Sequence, residues 1–149
     1  MNQIQPISGL QAGKELAKLA HGRFTQIKLQ KILYLAHAEH LVDHHVPLIK
    51  GGFLAWRHGP VCLGLYAAIE RHRDRPVPLE AFDFIVDLNP EKHSSNYRTL
   101  HKTFEVFEHW SVGKLVEESK KGAWEKTLVN GKVEIQDDCI QQNNIKRFQ

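Results

Sequence analysis

The residues best suited to bind another molecule lie in one short stretch, Trp56-Arg57-His58-Gly59-Pro60. Tryptophan and arginine are enriched in binding hot spots, because each combines a large contact area with a polar group. Gly59-Pro60 is typical of a helix start, with glycine at the N-cap and proline at the first helical position. We therefore predict that a helix begins at Pro60 and that its N-terminus favours an acidic group of a partner.

The same stretch has a plainer interpretation. Trp56 could fill the hydrophobic core and Arg57 could be solvated, while His58 could cap or pack locally instead of sensing protons. The residue types alone leave both interpretations open. What decides between them is whether the tryptophan and arginine side chains reach the surface.

Three histidines form a second candidate site. His37, His40 and His44 follow the spacing i, i+3, i+7, which places three imidazoles on one face of a helix, where two of them could share a metal ion. No acidic residue joins that arc of the helix, and no His-Glu-x-x-His motif is present. We therefore expect surface or rim histidines, and neither a metal nor a cofactor.

No catalytic motif stands out. The sequence has no Gly-x-Ser-x-Gly, no P-loop and no Gly-x-Gly-x-x-Gly, and Cys62 falls on an apolar helix row that favours a core position over a nucleophile. We predict that the protein is not an enzyme. With only Cys62 and Cys139 there is no disulfide framework, which favours a reduced, cytoplasmic protein.

The chain also lacks features of membrane or secreted proteins. No apolar run approaches the roughly 20 residues that cross a bilayer. The start, Met1 to Pro6, has neither the positive region nor the apolar region of a secretory signal. We therefore expect no membrane partner.

The charge pattern is only weakly basic. The formal net charge is +3 and the isoelectric point is about 8.9. Basic residues cluster at Arg71, Arg73 and Arg75 and again at Lys120-Lys121, but no recognition helix accompanies them. A mixed solvated surface and a basic face for an acidic partner are both compatible with this pattern, and we do not expect a nucleic-acid partner.

A long central helix organises the first half. The 149 residues, 42% of them hydrophobic, suit one domain over 1–149. Ser8 and Gln11 form a capping box for a first helix. Thr25 can cap a second helix that runs to Asp43 or His44. Apolar residues surround nearly the whole circumference of this second helix, so neighbouring elements must bury it.

The second half predicts shorter elements. Phe53 to Trp56 could be extended, and the alternation over 82–88 predicts a strand. Ser94 or Ser95 is expected to cap a helix, as is Ser111. An Asn-Gly pair within 128–133 suggests a small hairpin, and a last helix is expected from Asp137. The fold class is mainly α: a compact single-domain helical bundle with a minor β-hairpin or short strands.

Two runs carry a resemblance to a known family. Lys-Leu-Gln-Lys-Ile-Leu-Tyr-Leu-Ala at 28–36, and Phe-x-Ala-Trp-x-His-Gly-Pro-Val at 53–61 followed by Leu65-Tyr66, resemble the motifs of the Panacea-type antitoxins, which include SocA-like and GepA-like phage proteins. Gly122-Ala123-Trp124 and the segment 135–148 are similar to weaker family elements. Residues 75–96 follow no family pattern, and partner choice could reside there.

The resemblance implies an antitoxin of a bacterial or phage toxin–antitoxin system that neutralises a cognate protein toxin by direct binding. Two alternatives within reach are an adaptor that delivers the toxin to a protease and a DNA-binding regulator of a mobile element or prophage. Self-association is left open. The residues expected to bind the partner are Lys31, Tyr34, Trp56, Arg57, His58, Gly59, Pro60, Tyr66 and Trp124.

Overall fold

The computed structural model describes residues 3–148 and is built around α2 (Gln26–His44). Every residue of α2 from Leu29 to Leu41 is buried, which confirms the central helix that its apolar circumference predicts. The Thr25 hydroxyl accepts a hydrogen bond from the Lys28 amide, as predicted for an N-cap. The segment Met1 to Pro6 is predicted not to be a secretory signal, and its first two residues lie outside the described residues.

Six further helices are present in the described residues, and α1, α4, α5 and α7 pack directly on α2. Ser8 and Ser111 cap α1 and α5 as predicted. The predicted cap at Ser94 or Ser95 is wrong: α4 starts at Ser94 after His93, and no side chain caps it. The helices are α1 (Gly9–Leu19), α3 (Leu63–Ile69), α4 (Ser94–Phe107), α5 (Val112–Ser119), α6 (Ala123–Val129) and α7 (Asp137–Asn144).

A small antiparallel sheet completes the domain, in the order β2-β1-β3. The strands are β1 (Phe53–Trp56), β2 (Gly59–Val61) and β3 (Glu134–Ile135). Pairing Trp56 with Gly59 makes β1 and β2 a tight hairpin, and pairing Phe53 with Ile135 adds the third strand. The fold is therefore mainly α with short strands, as predicted.

The predicted helix start at Gly59-Pro60 is wrong. These residues belong to β2, and the helix begins at Leu63 after Cys62. Glycine and proline suit an N-cap locally, but here cross-strand pairing with β1 determines the conformation. Pro60 is tolerated because β2 is an edge strand, where a missing amide donor breaks no central ladder.

The predicted strand over 82–88 is also wrong. Among residues 79–88 only a short 3-10 turn, Leu79–Phe82, is regular. The segment has no partner strand; instead its carbonyls at Ile85 and Val86 accept hydrogen bonds from the side chains of α1. The Phe84 and Val86 side chains are 68% and 79% exposed, so the alternation does not mark a buried face.

The expected hairpin over 128–133 is not formed. Leu128 and Val129 finish α6, and Asn130 and Gly131 end the helix, with the Lys132 amide bonded to the Thr127 carbonyl. The chain after this turn forms β3, which pairs with the distant strand β1 and not with residues 128–130. The predicted final helix from Asp137 is present as α7.

His37 and His40 are buried and His44 is half-buried, so the expectation of surface or rim histidines is wrong for the first two. The His37 Nε2 lies 2.8 Å from a carboxylate oxygen of Asp137 on α7, and its Nδ1 accepts from the Ile49 amide. His40 bonds the Val46 carbonyl through Nδ1, and burial lowers the pKa of His40 to about 4. These histidines fasten α2 to neighbouring segments, and no metal-binding cluster occurs within residues 3–148.

None of the helices within residues 3–148 is both long enough and apolar enough to cross a bilayer.

Candidate partner-binding pocket

The β1–β2 hairpin holds Arg57 and His58 in its turn, and both side chains are exposed. The chain reverses between Trp56 and Gly59 with only two intervening residues. Gly59 has a φ of 107°, a backbone conformation that residues other than glycine rarely adopt. The turn therefore presents a cation and an imidazole to the outside.

A pocket of about 250 Å³ lies between this hairpin, α2 and α3; we call it the hairpin pocket. Its walls are mostly apolar, and its cationic groups come from Lys31 and Arg57. The lining residues are Gln26, Ile27, Gln30, Lys31, Trp56, Arg57, His58, Val61 and Tyr66.

Two aromatic rings form one wall of the hairpin pocket. The rings of Trp56 and Tyr66 meet edge to face, with centroids 4.9 Å apart. The Trp56 main chain is braced from behind, because the Trp124 indole N–H donates to its carbonyl oxygen at 2.8 Å. The Lys120 ammonium lies 5.0 Å from the centre of the Trp124 ring, within the range of a cation–π contact. Trp56 is therefore held by the Tyr66 ring on one side and by the Trp124 hydrogen bond on the other.

Lys31 lies at the bottom of the hairpin pocket and is 1% exposed. Its ammonium donates to the Pro60 carbonyl oxygen at 2.8 Å. Within residues 3–148, no carboxylate lies within salt-bridge distance of it. Burial, with a smaller contribution from the nearby charge of Lys120, lowers the pKa of Lys31 to about 7. The pocket therefore has a buried amine that titrates near neutral pH.

Gln30 fastens the hairpin to α2 beside the pocket. Its side-chain amide donates to the Cys62 carbonyl oxygen at 3.0 Å and accepts from the Cys62 amide at 2.8 Å. Sequence analysis missed this residue. The signal was present, since a glutamine on an otherwise apolar helix must find partners once the helix is buried.

Comparison with known proteins places this arrangement in a family. The family model described as "Antitoxin SocA-like, Panacea domain" matches residues 29–125. The chain belongs to this family. A curated relative, Antitoxin SocA of Caulobacter vibrioides (strain NA1000 / CB15N), is 51% identical over 37 residues, which are 25% of this chain and 20% of the relative. No solved structure gives a significant match.

The Panacea-domain match includes all nine residues predicted to bind a partner, and the structure sorts them into groups. The largest group lines the hairpin pocket: Lys31, Trp56, Arg57, His58 and Tyr66. Gly59 and Pro60 lie buried in β2 behind the turn, and Trp124 supports the Trp56 main chain. Tyr34 is fully buried, with its ring 5.2 Å from that of Phe53. Tyr34 therefore contributes packing and no exposed surface, and its burial raises the pKa of its phenol to about 12.

A larger cavity of about 560 Å³ lies between the α1–α2 connection, the start of α2 and the end of α4. It is lined by residues such as Phe24, Lys28 and Glu108, and contains none of the nine predicted residues. The Lys28 ammonium is already bonded to the Glu108 carbonyl and lies 4.2 Å from the centre of the Phe24 ring. Its larger volume therefore does not make this cavity the better candidate for the partner-binding site.

Replacing Trp124 with phenylalanine tests the brace behind Trp56. The change keeps an aromatic ring but removes the N–H that bonds the Trp56 carbonyl. We expect a loss of about 1 kcal/mol of unfolding free energy, as for one hydrogen bond, measured by urea denaturation. Trp110→Phe is the matched control, because the Trp110 indole N–H donates no hydrogen bond within the described residues. Equal losses for the two variants would contradict a bracing role.

Proposed function

We propose that this chain is an antitoxin that neutralises a protein toxin by direct binding, with the hairpin pocket and its turn as the contact surface. Membership in the SocA-like antitoxin family carries the proposal. The match to the curated antitoxin supports it over a fifth of that protein. The activity so assigned is non-catalytic and would operate in the cytoplasm beside the toxin.

The location of the contact surface rests on exposure and rigidity. Arg57 and His58 project from a two-residue turn, while Trp56 and Tyr66 form an apolar wall beside them. Interfaces gain most from aromatic and arginine anchors that are held in place before binding. The hydrogen bonds from Trp124 and Gln30 hold this hairpin, so little ordering remains to be done when a partner docks.

Co-expression tests the proposal directly. The product of the reading frame adjacent to this gene is induced in bacteria with and without this chain, and growth is measured. We expect the neighbour to arrest growth and this chain to restore it, with the two proteins eluting together in size-exclusion chromatography. Continued arrest in the presence of abundant antitoxin would refute the proposal.

The same experiment separates blocking from the adaptor mechanism. A blocked toxin accumulates in the rescued cells, whereas a toxin delivered to a protease declines. Toxin levels followed by immunoblot after translation is stopped distinguish these outcomes. A gel shift on the gene's own promoter tests the third alternative, a DNA-binding regulator.

Charge reversal at the turn should weaken neutralisation. Arg57→Glu is expected to raise the dissociation constant of the toxin complex by about tenfold or more, because it places a like charge where we propose an acidic partner. Trp56→Ala should also weaken the complex, because it removes the aromatic wall. Both are measured by calorimetry on the purified pair.

The control is Arg98→Glu, which reverses an exposed arginine on α4 outside the hairpin pocket. It should leave the dissociation constant unchanged. The far-UV circular dichroism of every variant should match that of the wild type. Full neutralisation by both Arg57→Glu and Trp56→Ala would remove the hairpin from the interface.

A further inference from the structure

We propose that the hairpin pocket receives an acidic side chain of the toxin, whose carboxylate pairs with the buried Lys31 ammonium. This inference rests on the proposed function and names the chemistry of the partner. It places the key recognition group at the bottom of the pocket instead of on the exposed turn.

The first support is the incomplete environment of Lys31. An ammonium has three donors, and the one hydrogen bond recorded for Lys31 in the described structure goes to the Pro60 carbonyl. Buried charges in proteins are normally paired, because an uncompensated charge away from water is costly. Lys31 is 1% exposed and has no carboxylate partner within residues 3–148. A carboxylate from outside the chain would complete its shell.

The second support is the charge around the pocket. Arg57 and His58 lie at the mouth of the pocket. The positive charge of Lys120, which follows α5, is close enough to repel that of Lys31. Two acidic groups on neighbouring elements have other partners: Glu118 of α5 pairs with Lys121 and Arg147, and Glu70 interacts with the Tyr66 hydroxyl. A pocket lined by one sign of charge concentrates the opposite sign.

The third support is the shape and polarity of the walls. Ile27, Val61 and the rings of Trp56 and Tyr66 line a mostly apolar cleft of about 250 Å³. The methylene stem of an acidic side chain suits such walls, while its carboxylate reaches the amine beyond them. A phosphate backbone would instead need an open surface with several exposed cations. These features favour an acidic side chain of a protein over a nucleic acid.

The pocket can be tested without the toxin. The probe is N-acetylglutamate α-amide, and its neutral match is N-acetylglutamine α-amide. Both are titrated into 15N-labelled protein while the Trp56 indole resonance is followed. We expect saturable shifts with the glutamate probe and about tenfold weaker shifts with the glutamine probe. Equal responses, or no response to the glutamate probe, would overturn the proposal.

Two lysine variants make the test specific. Lys31→Met should lower affinity for the glutamate probe by about tenfold and leave the glutamine probe unaffected. Lys28→Met is the matched control, since Lys28 lies one turn earlier on α2 and also donates to a main-chain carbonyl, but lines the other cavity. Loss of probe binding in Lys28→Met alone would contradict a site at Lys31.

The toxin complex provides the second arm. Each aspartate and glutamate of the adjacent-gene product is replaced by its amide and assayed against wild-type antitoxin and Lys31→Met. We expect one position whose replacement weakens the complex by about tenfold with the wild type and has no further effect with Lys31→Met. If the complex forms and no such position exists, the pocket assignment fails while the antitoxin function stands. If no complex forms, the proposed function fails, and the probe titration still decides the pocket.

Discussion

Gly59→Ala is expected to lower the free energy of unfolding by about 3 kcal/mol. A Cβ at this position would lie 2.8 Å from the Ser119 hydroxyl oxygen and 3.1 Å from the Lys31 Cε. Neither neighbour can move freely, because Ser119 is buried and bonded to the Val116 carbonyl, and Lys31 is held by Pro60. The φ of 107° adds backbone strain for any residue with a side chain.

Gly131→Ala separates the two contributions. Gly131 also has a positive φ, 69°, but a Cβ there would meet nothing within 4 Å. This variant should cost about 1 kcal/mol, from backbone strain alone. Thermal denaturation should show a clearly lower Tm for Gly59→Ala than for Gly131→Ala, since each kcal/mol shifts Tm by about 2–4 °C in a domain of this size. Equal Tm losses would mean that Ser119 and Lys31 yield to the extra methyl group.

This crowding explains why the hairpin carries glycine where the sequence suggested a helix cap. At Gly59 the strand β2 lies against Lys31 of α2 and Ser119 of α5. Only a residue without a side chain lets the hairpin turn sit directly over the buried amine. The glycine therefore serves the pocket twice, through its conformation and through its small size.

The parts of the fold that sequence reasoning predicted are governed by local chemistry. The capping hydroxyls of Ser8, Thr25 and Ser111 act within three residues of themselves, so their role is visible in the sequence. The central helix was predictable for a related reason. Apolar residues on every side leave burial as the only stable environment for α2.

The parts that were missed depend on contacts between distant segments. β1 pairs with β3 across about eighty residues, and His37 meets Asp137 across one hundred. No local pattern identifies such partners. The alternation at 82–88 is a local pattern that predicts a strand where no distant strand is available to pair with it. Phe84 and Val86 therefore remain exposed on an irregular segment.

The candidate site shows the same division. The aromatic and basic residue types at Trp56 and Arg57 pointed to a binding surface, and the structure places both on the hairpin pocket. The buried state of Lys31 could not be foreseen, because a lysine near the start of a helix is normally solvated. Its burial depends on the hairpin folding back over α2, which only the three-dimensional arrangement reveals.

Lys31→Met is expected to stabilise the free protein by about 2–4 kcal/mol at neutral pH, and this gain should disappear in alkali. The pKa of Lys31 is about 7 in the folded chain, against 10.5 for an unperturbed lysine. A lowered folded pKa means that the unfolded chain holds the proton more tightly. The resulting destabilisation is full below pH 7 and fades as the pH rises from 7 to 10.5. Methionine keeps most of the volume without the charge and loses one hydrogen bond, to Pro60.

The measurement is the difference in unfolding free energy between Lys31→Met and the wild type, taken from urea curves at several pH values between 6 and 10.5. Using the difference cancels the other groups that titrate in this range. Lys28→Met, less buried on the same helix, should show a much smaller difference. A Lys31→Met variant less stable than the wild type at every pH would show that the amine is a net stabiliser. We expect the measurement to show that the buried charge of Lys31 destabilises the free wild-type protein. Such a cost is common at functional sites, and here a carboxylate of the toxin would offset it by pairing with Lys31.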